Sequence, residues 1–221
     1  MKEGMPTQEN SHTAFDIIRS HGVLHTFPPN IEIFRQEQII GGVYLLEEGK
    51  VKMARTEYCG NEVVIEIAEA VQILGITSVL SQLPATVTAT TLTTCSAISL
   101  NTRLFLTLVE QEPDLTKSLL RLVSKYSCEQ VIRHAWLGAA SSRQRLASYL
   151  LRHISPRIPH SNGKIRIHIP LKKTDIAGLL AVRPEQLSRL LAELAKKEVI
   201  EQERGWIIVT NLEKLLQEAG E

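Results

Sequence analysis

The residue pattern predicts an α+β fold in three parts, and three observations carry the prediction. Residues from about 27 to 100 read as short alternating β-strands. Residues 115–137 then run on a helical period without Gly or Pro, and the last third has the order helix, turn, helix, hairpin.

The strands come first. In GGVYLLEEGKVKMAR a β-rich run reaches a turn at Gly49 and resumes with Val51 and Met53 alternating. NEVVIEIAEA and ATVTATTLTTCSAISL are also β-branched and alternating, with turn signals roughly every 8–12 residues, the spacing of a sandwich or barrel. After 101 the period changes, and TRLFLTLVEQEPDL reads as a short helix broken at Pro113. Leu119, Leu122, Val123 and Tyr126 then recur every three or four residues in a helix roughly 35 Å long. Such a stripe suits a helix lying on its own barrel or a seam between two subunits, and periodicity does not separate the two. Gly138 and the following AASS mark a hinge. Beyond it come a helix in RQRLASYLLRHI, a loop with Pro156, Pro159 and Gly163, a strand in KIRIHI, and a helix near 174–180. The helix of VRPEQLSRLLAEL, two short strands around Gly205 and a closing helix near 211–218 complete a winged helix-turn-helix.

Composition narrows the class. A chain of 221 residues holds one large domain or two modest ones, and 43% hydrophobic with 22% charged residues is ordinary for a globular protein. No run of about 18 apolar residues is available for a membrane span, and the polar N-terminus has no apolar core of a secretory signal. A cytoplasmic protein without a membrane partner is expected. Cys59, Cys95 and Cys128 are odd in number, far apart and never in CxxC, which argues against a disulfide framework and a structural zinc site. They read as ordinary thiols, with a redox role as the alternative. Nucleophile elbow, HExxH and Gly-rich phosphate loop are all missing, so no enzyme and no catalytic residue is expected. The net charge of +1 conceals an asymmetry: residues 1–138 carry 11 Lys/Arg against 15 Asp/Glu, and 139–221 carry 14 against 9. A polyanion partner for the C-terminal part follows.

VRPEQLSRLLAEL is the stretch that points to chemistry. Pro184 fits the first helical position, where its missing N–H costs nothing. Leu187, Leu190, Leu191 and Leu194 form the buried stripe, which leaves Glu185, Ser188 and Arg189 outside in the first turn and a half. A helix entering the major groove reads bases with its N-terminal residues. Arginine can hold guanine O6 and N7 together, and glutamate can accept from cytosine N4. The plainer reading is an i,i+4 Glu–Arg pair supporting a surface helix.

KKTDIAGLLAVRPEQLSRLLAELAKKEVIE closely resembles the helix-turn-helix of the cyclic-AMP receptor protein / fumarate-nitrate regulator (CRP/FNR) family of bacterial transcription factors. Asp175, Ile176 and Ala177 match the pattern of the first helix, and Glu185, Ser188, Arg189, Leu191 and Leu194 that of the second. RQRLASYLL resembles the helix after the hinge, and GGVYLLEEGKVKM the family's β-roll around a glycine, here Gly49. The likeness spans about 25 to 210, most specifically over the last 50 residues. It implies a jelly-roll-like double-stranded β-helix of the cyclic-nucleotide-binding type, a long dimerisation helix and a C-terminal winged helix-turn-helix. The corresponding division is 1–113 for effector sensing, 114–138 for dimerisation and hinge, and 139–221 for DNA binding.

By the same resemblance the protein is a homodimer on a palindrome in double-stranded DNA, acting with RNA polymerase. Leu119, Val123 and Tyr126 would lie on the dimer helix. Glu185, Ser188 and Arg189 would read bases, with half-sites resembling TTGAT. Pro184 departs from members with arginine there, which removes one guanine contact of the cyclic-AMP branch, and PExxSR occurs in branches tied to nitrogen oxides and redox control. Lys172, Lys173, Thr174 and Arg183 stand at helix entries and are the phosphate-contact candidates.

The sensor is expected to be degenerate. Cyclic-nucleotide members carry GExxLL…RxA, in which the glutamate accepts from the ribose hydroxyl and the arginine pairs with the phosphate. This chain reads LGITSVLSQLPATVTA: Gly75 remains, Ile76 replaces the glutamate, and Ala85 and Thr86 stand where the arginine and its neighbour should be. Control by cyclic AMP is therefore not expected. No cysteine precedes Cys59, so the N-terminal iron–sulfur cluster of another branch is also missing. No cofactor is expected; haem stays open as an alternative, with His12, His21 or His25 as axial candidates. A gas-responsive haem or redox regulator and a winged helix that contacts protein in place of DNA are the rival functions.

Overall fold

The computed structural model describes residues 12–58, 60, 62–154, 164–168, 171–203 and 205–220. The chain folds as two compact units, the first ending at Val131 and the second beginning at Ile132.

The first unit opens with α1 (His12–His21) and carries eight strands: β1 (Val23–Phe27), β2 (Glu32–Phe34), β3 (Gly42–Glu48), β4 (Lys50–Thr56), β5 (Glu62–Glu69), β6 (Gln72–Leu74), β7 (Thr88–Thr91) and β8 (Cys95–Asn101). A short helix α2 (Ile76–Ser81) sits between β6 and β7, and α3 (Thr102–Gln111) follows β8. Two four-stranded antiparallel sheets result, ordered β1-β8-β3-β6 and β2-β7-β4-β5. Apart from the β4–β5 hairpin, consecutive strands alternate between the sheets, so the chain winds as a double-stranded β-helix. Alternation fills the interior with Val43, Leu45, Val51, Val64, Ala68 and Ala89. Leu46, opposite Ala97, and Leu45, opposite Ile98, are both buried although they lie on opposite faces of the sheet, and the β3–β8 register shifts only beyond Leu46. Gly49 closes the β3–β4 turn at φ 97°, and a Cβ there would stand 2.6 Å from both Cys95 Sγ and the Thr94 carbonyl oxygen. Glycine alone fits that turn.

Several elements differ from the sequence reading. The polar N-terminal segment holds α1, whose Ala14 and Ile18, one turn apart, are buried against the roll. Strands begin at Val23, and α2 was not expected. Pro113 does not end a helix but begins α4 (Pro113–Ala139), after α3 has closed at Gln111. Gly138 lies within α4, and the break falls at Ala140 and Ser141. There Ser141 Oγ accepts from the Gln144 N–H at 3.2 Å and Gln144 Oε1 from the Ser141 N–H at 2.9 Å, a reciprocal cap that starts the next helix.

On α4 the apolar stripe faces the chain's own roll. Leu115 and Leu119 are in its core, and Leu122 and Val123 pack against it. The Tyr126 hydroxyl donates to the Glu66 carboxylate on β5, which also accepts from Gln72 Nε2 at 2.8 Å. Leu119, 2% exposed, thus has no surface to offer a second subunit. The opposite side of α4 exposes Leu120 at 67% and Val131 at 66%.

The second unit comprises α5 (Ser142–Arg152), β9 (Ile165–His168), α6 (Lys173–Leu179), α7 (Pro184–Lys196), β10 (Ile200–Glu203), β11 (Trp206–Val209) and α8 (Leu212–Ala219). The strands form one antiparallel sheet ordered β10-β11-β9, the wing. Leu187, Leu190, Leu191 and Leu194 of α7 bury against Leu146 and Leu150 of α5, Ile176 of α6, Ile165 and Ile167 of β9, and Leu215 of α8. At about 1.5–3 kcal/mol for each buried leucine, this stripe fixes which side of α7 faces outward. The turn between α6 and α7 passes through Ala181 at φ 49°.

Candidate nucleic-acid interface

The side of α7 opposite its leucines carries Glu185, Ser188 and Arg189, all exposed. Glu185 and Arg189 form no ion pair within 4 Å, with each other or with any other described residue, so the plainer reading of a bracing pair does not describe this helix. The Ser188 hydroxyl donates to the Pro184 carbonyl at 3.0 Å. Its proton is spent within the helix and its oxygen is left as an acceptor. The face therefore offers two acceptors, Glu185 and Ser188, beside one five-donor fork, Arg189.

Helix entries surround it. Lys172 is the N-cap of α6, with Lys173 and Thr174 in its first turn, all three exposed. Arg183 is the N-cap of α7 and Pro184 its first residue. Neither cap makes a side-chain hydrogen bond, so first-turn N–H groups of both helices stay open to an external acceptor.

Several cations elsewhere in the last third are paired with carboxylates or rings. In the wing, Lys164 pairs with Glu201 at 2.7 Å and Arg166 with Glu203 at 2.8 Å, while the Arg166 guanidinium lies 4.9 Å from the Trp206 ring centroid. Lys197 pairs with Glu218, and Arg152 lies over Trp136. Arg143 on α5 binds Glu193 of α7 at 2.6 Å and reaches Glu218 at 3.6 Å, and these carboxylates hold its guanidinium above the ordinary arginine range. Lys172, Lys173, Arg183, Arg189 and Lys196 have no such partner among the described residues and lie on α6, α7 and their entries.

Three residues escaped the sequence reading. Gln186 donates to Ser142 Oγ at 3.1 Å and, with Glu193 on Arg143, fastens the flank of α7 to α5. Their separation of seven residues, two helical turns, was a visible signal, but the α5 partners were not. Lys196 follows Glu185 by eleven residues, three turns, and so lies on the same exposed face.

In the roll, Gly75 sits at φ 79° ahead of α2 with Ile76 buried behind it. Ala85 is buried and Thr86 exposed. The buried alanine fits the last position of RxA, which puts Leu83, 62% exposed, where the arginine would stand, two residues before the position expected from sequence. No cation occupies 83, 85 or 86 in either alignment. Among the haem candidates, His21 at the end of α1 and His25 on β1 are both exposed, His25 within 2.9 Å of Ser99 Oγ. Neither has the closed apolar surroundings that shelter a porphyrin. The His12 side chain and Cys59 lie outside the described residues. Cys95 is buried and Cys128 exposed, both free thiols. No helix among the described residues is long and apolar enough to cross a membrane, and none of their His, Cys, Asp and Glu side chains cluster in a way that could hold a metal ion.

Comparison with known proteins agrees with this architecture. Residues 24–112 match the cyclic nucleotide-binding domain and residues 144–218 the Crp-like helix-turn-helix domain. A CRP-like cAMP-activated global transcriptional regulator of Mycobacterium tuberculosis is 24% identical over 193 residues, 87% of this chain and 86% of its own. The transcriptional activator protein FnrL of Cereibacter sphaeroides is 32% identical over 90 residues, 38% of this chain and 36% of its own. Among solved structures, the c-di-GMP responsive global regulator CLP of Xanthomonas campestris superposes with a TM-score of 0.78 at 14% identity, covering 90% of this chain and 99% of that one, a likeness of fold. A β-roll with a helix-turn-helix that exposes Glu185, Ser188 and Arg189, matched by both domain models, makes the chain a member of the CRP/FNR family of transcription regulators, which are DNA-binding proteins and not enzymes.

Proposed function

We propose that the protein is a homodimer that binds a palindromic operator, reading bases with Glu185, Ser188 and Arg189 and holding the backbone with Lys172, Lys173, Thr174 and Arg183. The observation that carries this is the exposed Glu185–Ser188–Arg189 face, whose two charged groups pair with no described residue, set beside Lys172, Lys173, Arg183 and Lys196. Arg189 suits guanine O6 and N7, and Glu185 and Ser188 suit the amino groups of cytosine or adenine. Residues 1–113 sense, 114–138 dimerise and hinge, and 139–221 bind DNA. On the dimer helix, Leu120 and Val131 support the seam better than Leu119, Val123 and Tyr126, which are engaged with the roll. The protein works in the cytoplasm with RNA polymerase as its further partner.

Selection from random double-stranded DNA tests this reading. Enrichment of a palindrome whose half-sites resemble TTGAT and lie about 34–36 Å apart is expected. Enrichment of unrelated sequences, or of none, refutes it.

The activity is proposed to be independent of cyclic AMP. Ile76, Leu83 and Ala85 support this, because none of them supplies the carboxylate or the guanidinium that the GExxLL…RxA pattern brings to a cyclic nucleotide. Calorimetry with cyclic AMP should give no heat of binding at concentrations up to about 100 μM, a range in which a micromolar ligand would saturate. A micromolar dissociation constant would overturn it.

A further inference from the structure

The hinge region carries an arginine whose contacts go beyond holding a helix end. Arg145 lies on the first turn of α5, with Nη1 donating to the Leu137 carbonyl at 2.8 Å and to the Ala140 carbonyl at 3.2 Å. Leu137 lies in the last turn of α4 and Ala140 directly follows it, where carbonyls have run out of intrahelical donors. Its Nη2 donates to the Ala181 carbonyl at 3.4 Å, in the turn that leads from α6 into α7. One planar group thus joins the end of the long helix to the turn of the helix-turn-helix.

A second arginine repeats the connection from α4 itself. Arg133 Nη2 donates to the Leu179 carbonyl at 3.4 Å, at the last residue of α6. The C-terminal end of a helix is its negative end, so both guanidinium groups meet favourable partial charge there. Ala181 holds φ 49°, a left-handed conformation that a residue with a Cβ adopts only where its surroundings impose it. Pro184, the first residue of α7, follows three residues later.

We infer that Arg145 is a positioning residue: it sets the placement of α7 on the end of α4, and so the spacing between half-sites that the dimer accepts. The inference rests on the dimeric, operator-binding reading proposed above. A dimer joined along α4 can place its two recognition helices at one separation only if each is fixed to that helix. Arginine is suited to the task and lysine is not, because a single ammonium cannot reach the α4 carbonyls and the Ala181 carbonyl together. Arg145 Nε is buried and makes no hydrogen bond among the described residues, so the bridge is carried by the two Nη groups.

The test measures affinity for the selected palindrome and for two versions with one base pair added or removed between half-sites. Each change moves a half-site by about 3.4 Å along the duplex and roughly 34° around it. Wild-type protein should prefer the selected spacing by about tenfold or more. Arg145→Lys and Arg145→Gln should bring the three affinities to within about threefold of one another, with binding to a lone half-site unchanged. An arginine that merely stabilised the domain would lower all affinities alike and leave their ratio intact, and that result overturns the inference. Should the Arg145 variants fail to fold by circular dichroism, Arg133→Gln decides: a weaker spacing preference supports the bridge and an unchanged one refutes it. A wild-type protein that selects no two-part operator would sink the parent reading, a distinguishable failure.

Discussion

Two helices of this protein each leave one face outward, and the faces differ in kind. On α7 the exposed side chains include Glu185, Ser188, Arg189 and Lys196; on α4 they include Leu120 and Val131, with Ser124 and Ser127 between them. Donors and acceptors held on a rigid helix gain most from a partner whose own groups stand at fixed positions, as base edges do. An apolar row separated by small residues makes no directional demand and gains from being removed from water by a similar surface. On the function proposed above, what each face lacks in the single chain is what its partner would supply: hydrogen-bonding geometry for α7, apolar area for α4.

Substitutions should separate the two faces, and the largest effect is expected on α4. Leu120→Glu with Val131→Glu should leave the β-roll folded but give the mass of a single chain in sedimentation, with operator affinity lower by about 100-fold or more as the half-sites cease to be bound together. Val123→Asp, one position round the same helix, should behave differently, because Val123 packs on the roll. It should lower stability by about 2–4 kcal/mol in a denaturant titration. If Val123→Asp instead yields a stable monomer, the assignment of the two sides of α4 is reversed.

A smaller effect is expected on α7. Arg189→Ala should cost about 1–3 kcal/mol per half-site and relax preference at one symmetric position of the operator. Undiminished affinity for the same motif would mean that the helix is only a solvated surface. The smallest change is expected from Lys173→Ala at the entry of α6. All sequences should weaken alike, and the logarithmic salt dependence should become shallower by about one per subunit. A sequence-selective loss there would place Lys173 among the base readers.

Legibility followed the range of the interactions. The winged helix-turn-helix could be read because its signals are local: Pro184 at a helix start, leucines at 187, 190, 191 and 194, and a hairpin at Gly205. The β-roll was legible as a sandwich or barrel through alternation, but α1 was hidden in a segment that is polar apart from a few positions such as Ala14 and Ile18. The degenerate effector motif was visible, yet the residue at the arginine's position became clear only once Ala85 was seen to be buried.

By itself the sequence determined most of the helices and strands, though not α1 or α2, together with the family and the chemistry presented by the second helix of the helix-turn-helix, since these depend on periods and motifs within some thirty residues. Tertiary structure decided which side of α4 is spent on the roll, with Tyr126 meeting Glu66 across 60 residues, and which cations are spent, with Arg143 meeting Glu193 across 50. It also decided that Arg145 joins the end of α4 to Ala181. A helical stripe specifies only that one side is apolar, and a charge specifies only that it will find a counter-charge or water. Which partner it finds depends on where the chain returns in space, and no local period encodes that.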